Sequence, residues 1–240
     1  FERIDNKGAP RLPYAQSAFD DRYSTRRWMP VIEAKHYNRD GTAWSMLASY
    51  QRFWRSREAF STDLTSLETA PLDATAQDTT SMHSFQTRGS GSVWKQGSWD
   101  LQVGWDVNHQ TFASKRMESG TKSITDAALF TQAQWESDNI KWKFGLRKAY
   151  NSRFGAPFLP SALGLWKNGA QRMRLSYAKG FRAPSLKELY FRFVDINHSL
   201  YGNENLAPET SHFGQLDWSW AQEKFEVSSQ LFTNFIQDQI

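Results

Sequence analysis

The sequence predicts an all-β protein, and within that class an antiparallel sheet forming part of a transmembrane β-barrel. Three observations point there. Apolar residues recur at every second position through much of the chain, the signature of strands with one apolar and one polar face. Short polar turns alternate strictly with long polar links, as in barrels with short turns on one side of a membrane and long loops on the other. Aliphatics are scarce and aromatics abundant: of 240 residues 39% are hydrophobic, yet 15% are aromatic, with 11 Trp, 17 Phe and 8 Tyr. Mean hydropathy is −0.67. Aromatics this dense need burial, which excludes a disordered chain. No run approaches the 18 or so consecutive apolar residues of a membrane helix.

Ten strands follow in order: 24–37, 42–56, 78–94, 98–112, 122–135, 140–150, 158–167, 171–182, 207–220 and 224–238. The clearest is the fourth, where Trp99, Leu101, Val103, Trp105 and Val107 alternate with Asp100, Gln102, Gly104, Asp106 and Asn108. The sixth sets Ile140, Trp142, Phe144, Leu146 and Tyr150 against Lys141, Lys143, Gly145 and Arg147. The eighth sets Met173, Leu175 and Tyr177 against Arg172, Arg174 and Ser176. Trp44, Met46, Ala48 and Tyr50 mark the second strand, Leu129 and Trp135 the fifth, Leu216, Trp218 and Trp220 the ninth, and Phe225, Val227, Leu231 and Phe235 the tenth. Tight turns fall at Asn38–Gly41, Lys95–Gly97, Glu136–Asn139, Lys167–Gly169 and Ala221–Lys224. The long links are 57–77, 113–121, 151–157 and 183–206. Strands of ten or more residues suit a bilayer better than a soluble sandwich, whose strands usually run about 5–6. Trp28, Trp54, Trp94, Trp135, Tyr150, Trp166 and Trp220 sit near strand ends, where an interfacial aromatic belt belongs.

Charge excludes more than it assigns. Lys+Arg 29 against Asp+Glu 25 gives +4, dispersed without a cluster, so no nucleic-acid partner is expected. The absence of cysteine removes disulfides and thiolate chemistry. His36, His83, His109 and His212 have no metal-ligand spacing, and no nucleophile elbow, phosphate loop or zinc-protease motif occurs, so no catalytic residues are expected. The chain starts at Phe1 without a leader and stops in strand-like sequence, which reads as an internal piece.

The stretch 171–211 carries a resemblance. Leu175-Ser176-Tyr177-Ala178-Lys179-Gly180-Phe181-Arg182-Ala183-Pro184, then Glu188-Leu189-Tyr190, then Gly202-Asn203 through Leu206 and Pro208-Glu209, resembles the TonB-dependent outer-membrane receptors. The phrase from Glu188 to His198 is similar in style to receptors of the Bacteroidota. The resemblance implies a plug domain with a 22-stranded barrel in the bacterial outer membrane, importing iron chelates, haem, cobalamin or glycans. Residues 1–240 would then be one partial barrel, a little under half of its strands, with the plug and remaining strands elsewhere. It implies no intrinsic cofactor, with haem or a ferric chelate as cargo. The implied partners are TonB, the bilayer and its lipopolysaccharide, and a surface lipoprotein.

Haem receptors of that family carry an FRAP box, an NPNL-type box and a histidine between them. Phe181-Arg182-Ala183-Pro184 matches the first; Asn203-Glu204-Asn205-Leu206 departs from the second at Glu204; His198 lies between. On this resemblance His198 is the candidate axial metal ligand, and Tyr190 and Tyr201 would ligate ferric haem or stack on its face. Arg182 would pair with a cargo carboxylate, or else with Glu209 to shape the loop base. The boxes themselves, Pro208 and Glu209 included, are expected to be mainly structural. The same resemblance makes 183–206 an external loop and every short turn periplasmic. Two other readings stay open at this point, a complete ten-stranded outer-membrane barrel protease and a soluble β protein binding glycans with its tryptophans.

Overall fold

A computed structural model describes residues 1–8, 15–74, 76–117, 120–194 and 199–240, the Lys7 side chain excepted. Its elements are β1 (Glu2–Lys7), β2 (Ser17–Trp28), β3 (Val31–Tyr37), β4 (Ala43–Asp63), β5 (Thr69–Pro71), β6 (Asp78–Gln96), β7 (Trp99–Ser114), β8 (Lys122–Glu136), β9 (Ile140–Asn151), β10 (Phe158–Asn168), β11 (Gln171–Arg182), α1 (Leu186–Tyr190), β12 (Arg192–Val194), β13 (Ser199–Tyr201), β14 (Glu209–Gln222) and β15 (Phe225–Gln237). Thirteen strands form one open sheet in the order β1-β2-β4-β6-β7-β8-β9-β10-β11-β14-β15, with β3 and β5 also pairing β4, while β12 and β13 form a separate hairpin. Every pairing is antiparallel. Sequence neighbours are therefore sheet neighbours, the meander of an up-and-down barrel. Among the described residues no helix is long and apolar enough to cross a membrane.

All ten expected strands are present, and β1 adds one at the edge. Three boundaries change. The strand read as 24–37 begins at Ser17 and is interrupted at Met29-Pro30. Trp28 faces Arg52 and Val31 faces Ser49, so the register continues unchanged across the interruption. Pro30 has no N–H to give, but its carbonyl still accepts from Tyr50 N at 3.2 Å. The strand read as 42–56 runs on to Asp63, which shortens the link 57–77 and places Trp54 well inside the strand. β5 then pairs with the outer end of β4. The period-two reading stopped short because charged residues in Arg52–Glu58 obscure the alternation. Finally, the loop 183–206 contains a helix and a hairpin.

The two faces of the sheet invert the polarity of a soluble protein. On β9, Trp142, Phe144, Leu146 and Tyr150 are exposed, whereas Lys141, Lys143 and Arg147 on the concave face are half-buried. Leaving large apolar side chains on the convex face would forgo roughly 1.5–3 kcal/mol each in water; in lipid it costs nothing. Register aligns Trp99, Trp135 and Trp142 across β7, β8 and β9, next to the short turns. Trp166, two residues nearer the turn than Gly164, which faces Trp142, begins a second aligned row with Met173 and Trp218 on β10, β11 and β14. From Trp142 to Tyr150 the strand rises eight residues, about 26 Å along its length at ~3.3 Å per residue, enough to traverse an apolar band roughly 25 Å tall. A bulge between Ser92 and Trp94 shifts the register by one and turns Trp94 to the apolar face opposite Leu101. At Gly164 a Cβ would lie 2.5 Å from the Trp142 ring, which covers the glycine from the neighbouring strand.

Candidate functional site

The described residues bury few apolar side chains, and most of these gather in one place. After β11 the chain turns at Ala183-Pro184 and folds inward instead of rising away. Ser185 caps α1, accepting from Glu188 N at 3.3 Å, while the Glu188 carboxylate accepts from Ser185 N at 2.7 Å. This reciprocal box fixes the start of a helix too short to persist alone. Leu186, Leu189 and Tyr190 then pack on Phe112 of β7, Ile124 of β8 and Met117, with Met82, Phe154, Phe191 and Leu206 around them. Phe112, Ile124 and Met82 all project from the concave face, so α1 forms a cap lying against the inner wall.

The FRAP and NENL boxes build this cap. The Arg182 guanidinium bonds the Glu188 carboxylate and reaches Glu209 at 3.3 Å. It thus ties the end of β11 to α1 and to the start of β14, the structural alternative expected for Arg182. Burial raises the Glu188 carboxyl pKa, but the Ser185 N–H, the Arg182 guanidinium and the Ser185 hydroxyl outweigh it and hold the group below its ordinary value. Asn203 N donates to Glu188 O at 2.9 Å and Gly202 N to Phe191 O at 2.7 Å. A Cβ on Gly202 would fall 2.6 Å from Leu189 C and Tyr190 N, so only glycine allows this approach. Asn203 Oδ1 accepts from Asn205 N at 2.9 Å in an Asx turn, and Leu206 joins the apolar cluster.

The expected site residues separate. Tyr190 is 1% exposed. Its ring faces Lys122 Nζ at 4.3 Å and Arg153 Cζ at 4.9 Å. Burial first, then the Glu204 carboxylate, push its phenol above the ordinary value against the opposing Arg153 charge. The structure thus places Tyr190 inside the cap, away from solvent. Tyr201 is 63% exposed on β13, with Arg192 Cζ 5.7 Å from its ring. His198 lies outside the described residues. Phe181 faces Thr210 across the β11–β14 pair, and Pro184 is fully buried at the foot of the cap. Among the described residues no group of three or more histidines, cysteines and carboxylates converges to hold a metal.

A cavity beside the cap went unread in the sequence. It encloses about 600 Å³ between the concave faces of β2, β4, β6 and β7, with Ser185, Leu186 and Lys187 of the cap along one side. Arg27, Arg55, Arg57, Arg116 and Lys187 line it, against the single carboxylate of Asp78. Arg57 is engaged by Asp21 at 3.0 and 3.1 Å, and Arg116 by Asp78 at 3.2 Å. Arg55 lies over Tyr23 at 4.6 Å and Arg27 over Phe53 at 5.6 Å. Among the described residues Arg27, Arg55 and Lys187 form no ion pair with a carboxylate. The available signal was Arg55 and Arg57 two apart on one strand face, with Arg27 on the same face of the neighbour opposite Phe53.

Three comparisons with known proteins bear on this arrangement. The family model for the TonB dependent receptor-like β-barrel matches residues 3–240. The iron-regulated outer membrane virulence protein of Vibrio cholerae is 29% identical over 119 residues, covering 46% of this chain and 18% of that protein. Hemoglobin and hemoglobin-haptoglobin-binding protein A of Haemophilus influenzae is 33% identical over 61 residues, covering 25% of this chain and 6% of that protein. Among solved structures, the siderophore receptor PirA of Pseudomonas aeruginosa superposes with a TM-score of 0.58 at 16% identity, covering 98% of this chain and 51% of that one. The copper transporter OprC superposes with a TM-score of 0.63 at 11% identity, covering 98% and 44%. At such identities these structures speak for the fold. The chain spans about half the length of the solved receptor and a smaller share of the curated relatives. The inverted polarity, the aromatic row, the meander and the family match agree: this is outer-membrane β-barrel wall, and the chain belongs to the TonB-dependent receptor-like β-barrel family.

Proposed function

We propose that this barrel wall serves a receptor that binds an anionic iron chelate at its extracellular face and imports it with energy delivered by TonB. The plug that TonB engages, and the strands that close the barrel, would come from other parts of the receptor. One observation carries the reading: a cavity of about 600 Å³ at the loop end of the sheet, walled by arginines of which Arg27 and Arg55 lack carboxylate partners among the described residues. That volume is within the usual range of about 300–1,000 Å³ for small-molecule sites. Guanidinium groups beside aromatic rings suit the carboxylates, catecholates or propionates of ferric siderophores and haem. The same surplus of positive charge favours an anionic chelate over cobalamin. The cap would close one side of the site, with Lys187 reaching into it.

Haem is the finer version of this reading, supported by the intact Phe181–Pro184 box, His198 and the short match to a relative named as binding hemoglobin. In it, His198 is the axial ligand and Tyr201 stacks on the porphyrin. The test is iron-limited growth of cells carrying the full receptor, supplied in turn with ferric catecholate, ferric hydroxamate, ferric citrate or haem. The reading expects growth on at least one, lost when TonB is deleted. Growth on none of them would end it. A Soret shift that disappears in His198→Ala would establish the haem version; an unchanged shift would remove His198 as ligand.

A further inference from the structure

Among the described residues, Asp78 is the one carboxylate lining the arginine-walled cavity. It stands opposite Arg57 in the β4–β6 register, and its Oδ2 lies 3.2 Å from Arg116 Nε. Its side chain is only 15% exposed. Ser114 Oγ donates to Asp78 Oδ1 at 3.3 Å and accepts from Thr80 Oγ1 at 3.3 Å. On the other side of Arg57, the Asp21 carboxylate accepts from both Nε and Nη2. Acid and base thus alternate along one row, Asp21, Arg57, Asp78 and Arg116, running from β2 to the loop after β7. Hydrogen bonding to Asp21 first, then the Asp21 charge and at longer range that of Asp78, raise the Arg57 guanidinium above its ordinary value against the effect of burial. Arg27, Arg55 and Lys187 line the same cavity but stand outside this row.

A carboxylate opposes the anionic cargo that the other side chains invite, so its presence needs a reason. Anchoring the loop after β7 does not require it. Arg116 N already donates to Ser114 Oγ at 3.2 Å and Met117 N to Ser114 O at 3.1 Å, while Arg116 O accepts from Arg192 N at 2.8 Å. An asparagine oxygen would accept the same bonds from Arg116 and Ser114 without the charge. What the charge alone supplies is neutralisation. We propose that Asp78 is a specificity-determining residue: by occupying Arg57 and Arg116 it limits how many negative charges on a chelate this cavity rewards. Arg27 and Arg55 are left to do the capturing, each guanidinium held over an aromatic ring. They come from adjacent strands, Arg27 opposite Phe53 and Arg55 two residues further out, so they suit a pair of anionic groups on one side of a chelate. Each additional negative charge meets repulsion from Asp78 across a site partly shielded from water. The proposal rests on this cavity being the cargo site.

The test is tryptophan-fluorescence titration of the full receptor with haem, ferric citrate, a ferric tris-catecholate and an uncharged ferric tris-hydroxamate. Asp78→Asn should bind the anionic chelates that the wild type binds about three- to fivefold more tightly, with a steeper salt dependence, and should leave the uncharged hydroxamate unaffected. Asp21→Asn, which releases Arg57 from its other side, should shift the same constants in the same direction and serves if Asp78→Asn does not fold. A heat-modifiable gel shift confirms that each variant is folded. Unchanged or weaker binding of the anionic chelates by the folded variants would overturn the proposal, as would an equal gain for the uncharged one. Arg27→Ala/Arg55→Ala separates the two levels. If that variant loses affinity while Asp78→Asn changes nothing, the cavity holds the cargo and only the role of Asp78 falls. If it leaves every constant unchanged, the cavity is not the cargo site and both readings fall.

Discussion

At the scale of single residues, the cap depends on a few side chains that each hold two things together. Arg182 joins β11 to α1 and β14, so Arg182→Ala should leave the sheet intact and free the segment 183–206. Limited proteolysis of the full receptor should then cut within that segment far faster than in the wild type. Glu188 makes the same tie dependent on acid. Its folded pKa lies below its unfolded value of ~4.3, so its stabilisation is fully present above that value and is lost as pH falls through the folded pKa. Hydrogen exchange at Leu189 and Phe191 should therefore accelerate on acidification below about pH 4, and Glu188→Gln should remove the pH dependence. Gly202→Ala places a methyl against the α1 backbone and should destabilise the cap by about 1–3 kcal/mol, read by the same exchange. These roles were only partly legible. The capping pair Ser185 and Glu188 follows a spacing visible in the sequence, as does the Arg182–Glu209 pairing. The burial of Tyr190 was not, because it depends on Phe112, Met117 and Ile124 arriving from other strands.

At the scale of elements, alternation decided nearly everything that was read correctly. Strands β7, β9 and β11 appear where period two is cleanest. The alternation weakens on β4 beyond Gln51 and on β2, where Arg, Ser, Asp and Glu occupy both faces because the strands have risen past the bilayer. There the pattern lost its physical cause, and the boundaries slipped accordingly. The distinction between faces is itself testable. Leu146→Arg places a charge on the lipid face near mid-band and should cost roughly 2–4 kcal/mol in reversible unfolding from lipid vesicles. The substitution Arg147→Gln, one residue away on the concave face, should cost under about 1 kcal/mol, since among the described residues its ion pairing is with Asp106 alone, at 4.0 Å. Equal costs would mean that the faces are assigned wrongly.

At the scale of the whole molecule, the arrangement is a tall sheet whose apolar side faces lipid and whose polar side carries an arginine-lined cavity beneath an inward-folded loop. The composition that first marked the sequence follows from this: aromatics serve the lipid face and its borders, and Gln, Ser, Lys and Arg serve the wet one. The cavity stayed hidden because its arginines come from β2, β4 and the loop after β7, more than eighty residues apart in the chain. Its role is the central claim, and equilibrium binding tests it most directly. The dissociation constant of the transported ferric chelate should be measured for the full receptor and for Arg27→Ala/Arg55→Ala across a range of salt concentrations. The variant should bind at least about tenfold more weakly, as losing charge-assisted hydrogen bonds worth ~1.5–3 kcal/mol predicts, and with a shallower salt dependence. An unchanged dissociation constant with an unchanged salt dependence would place the cargo elsewhere and contradict the account.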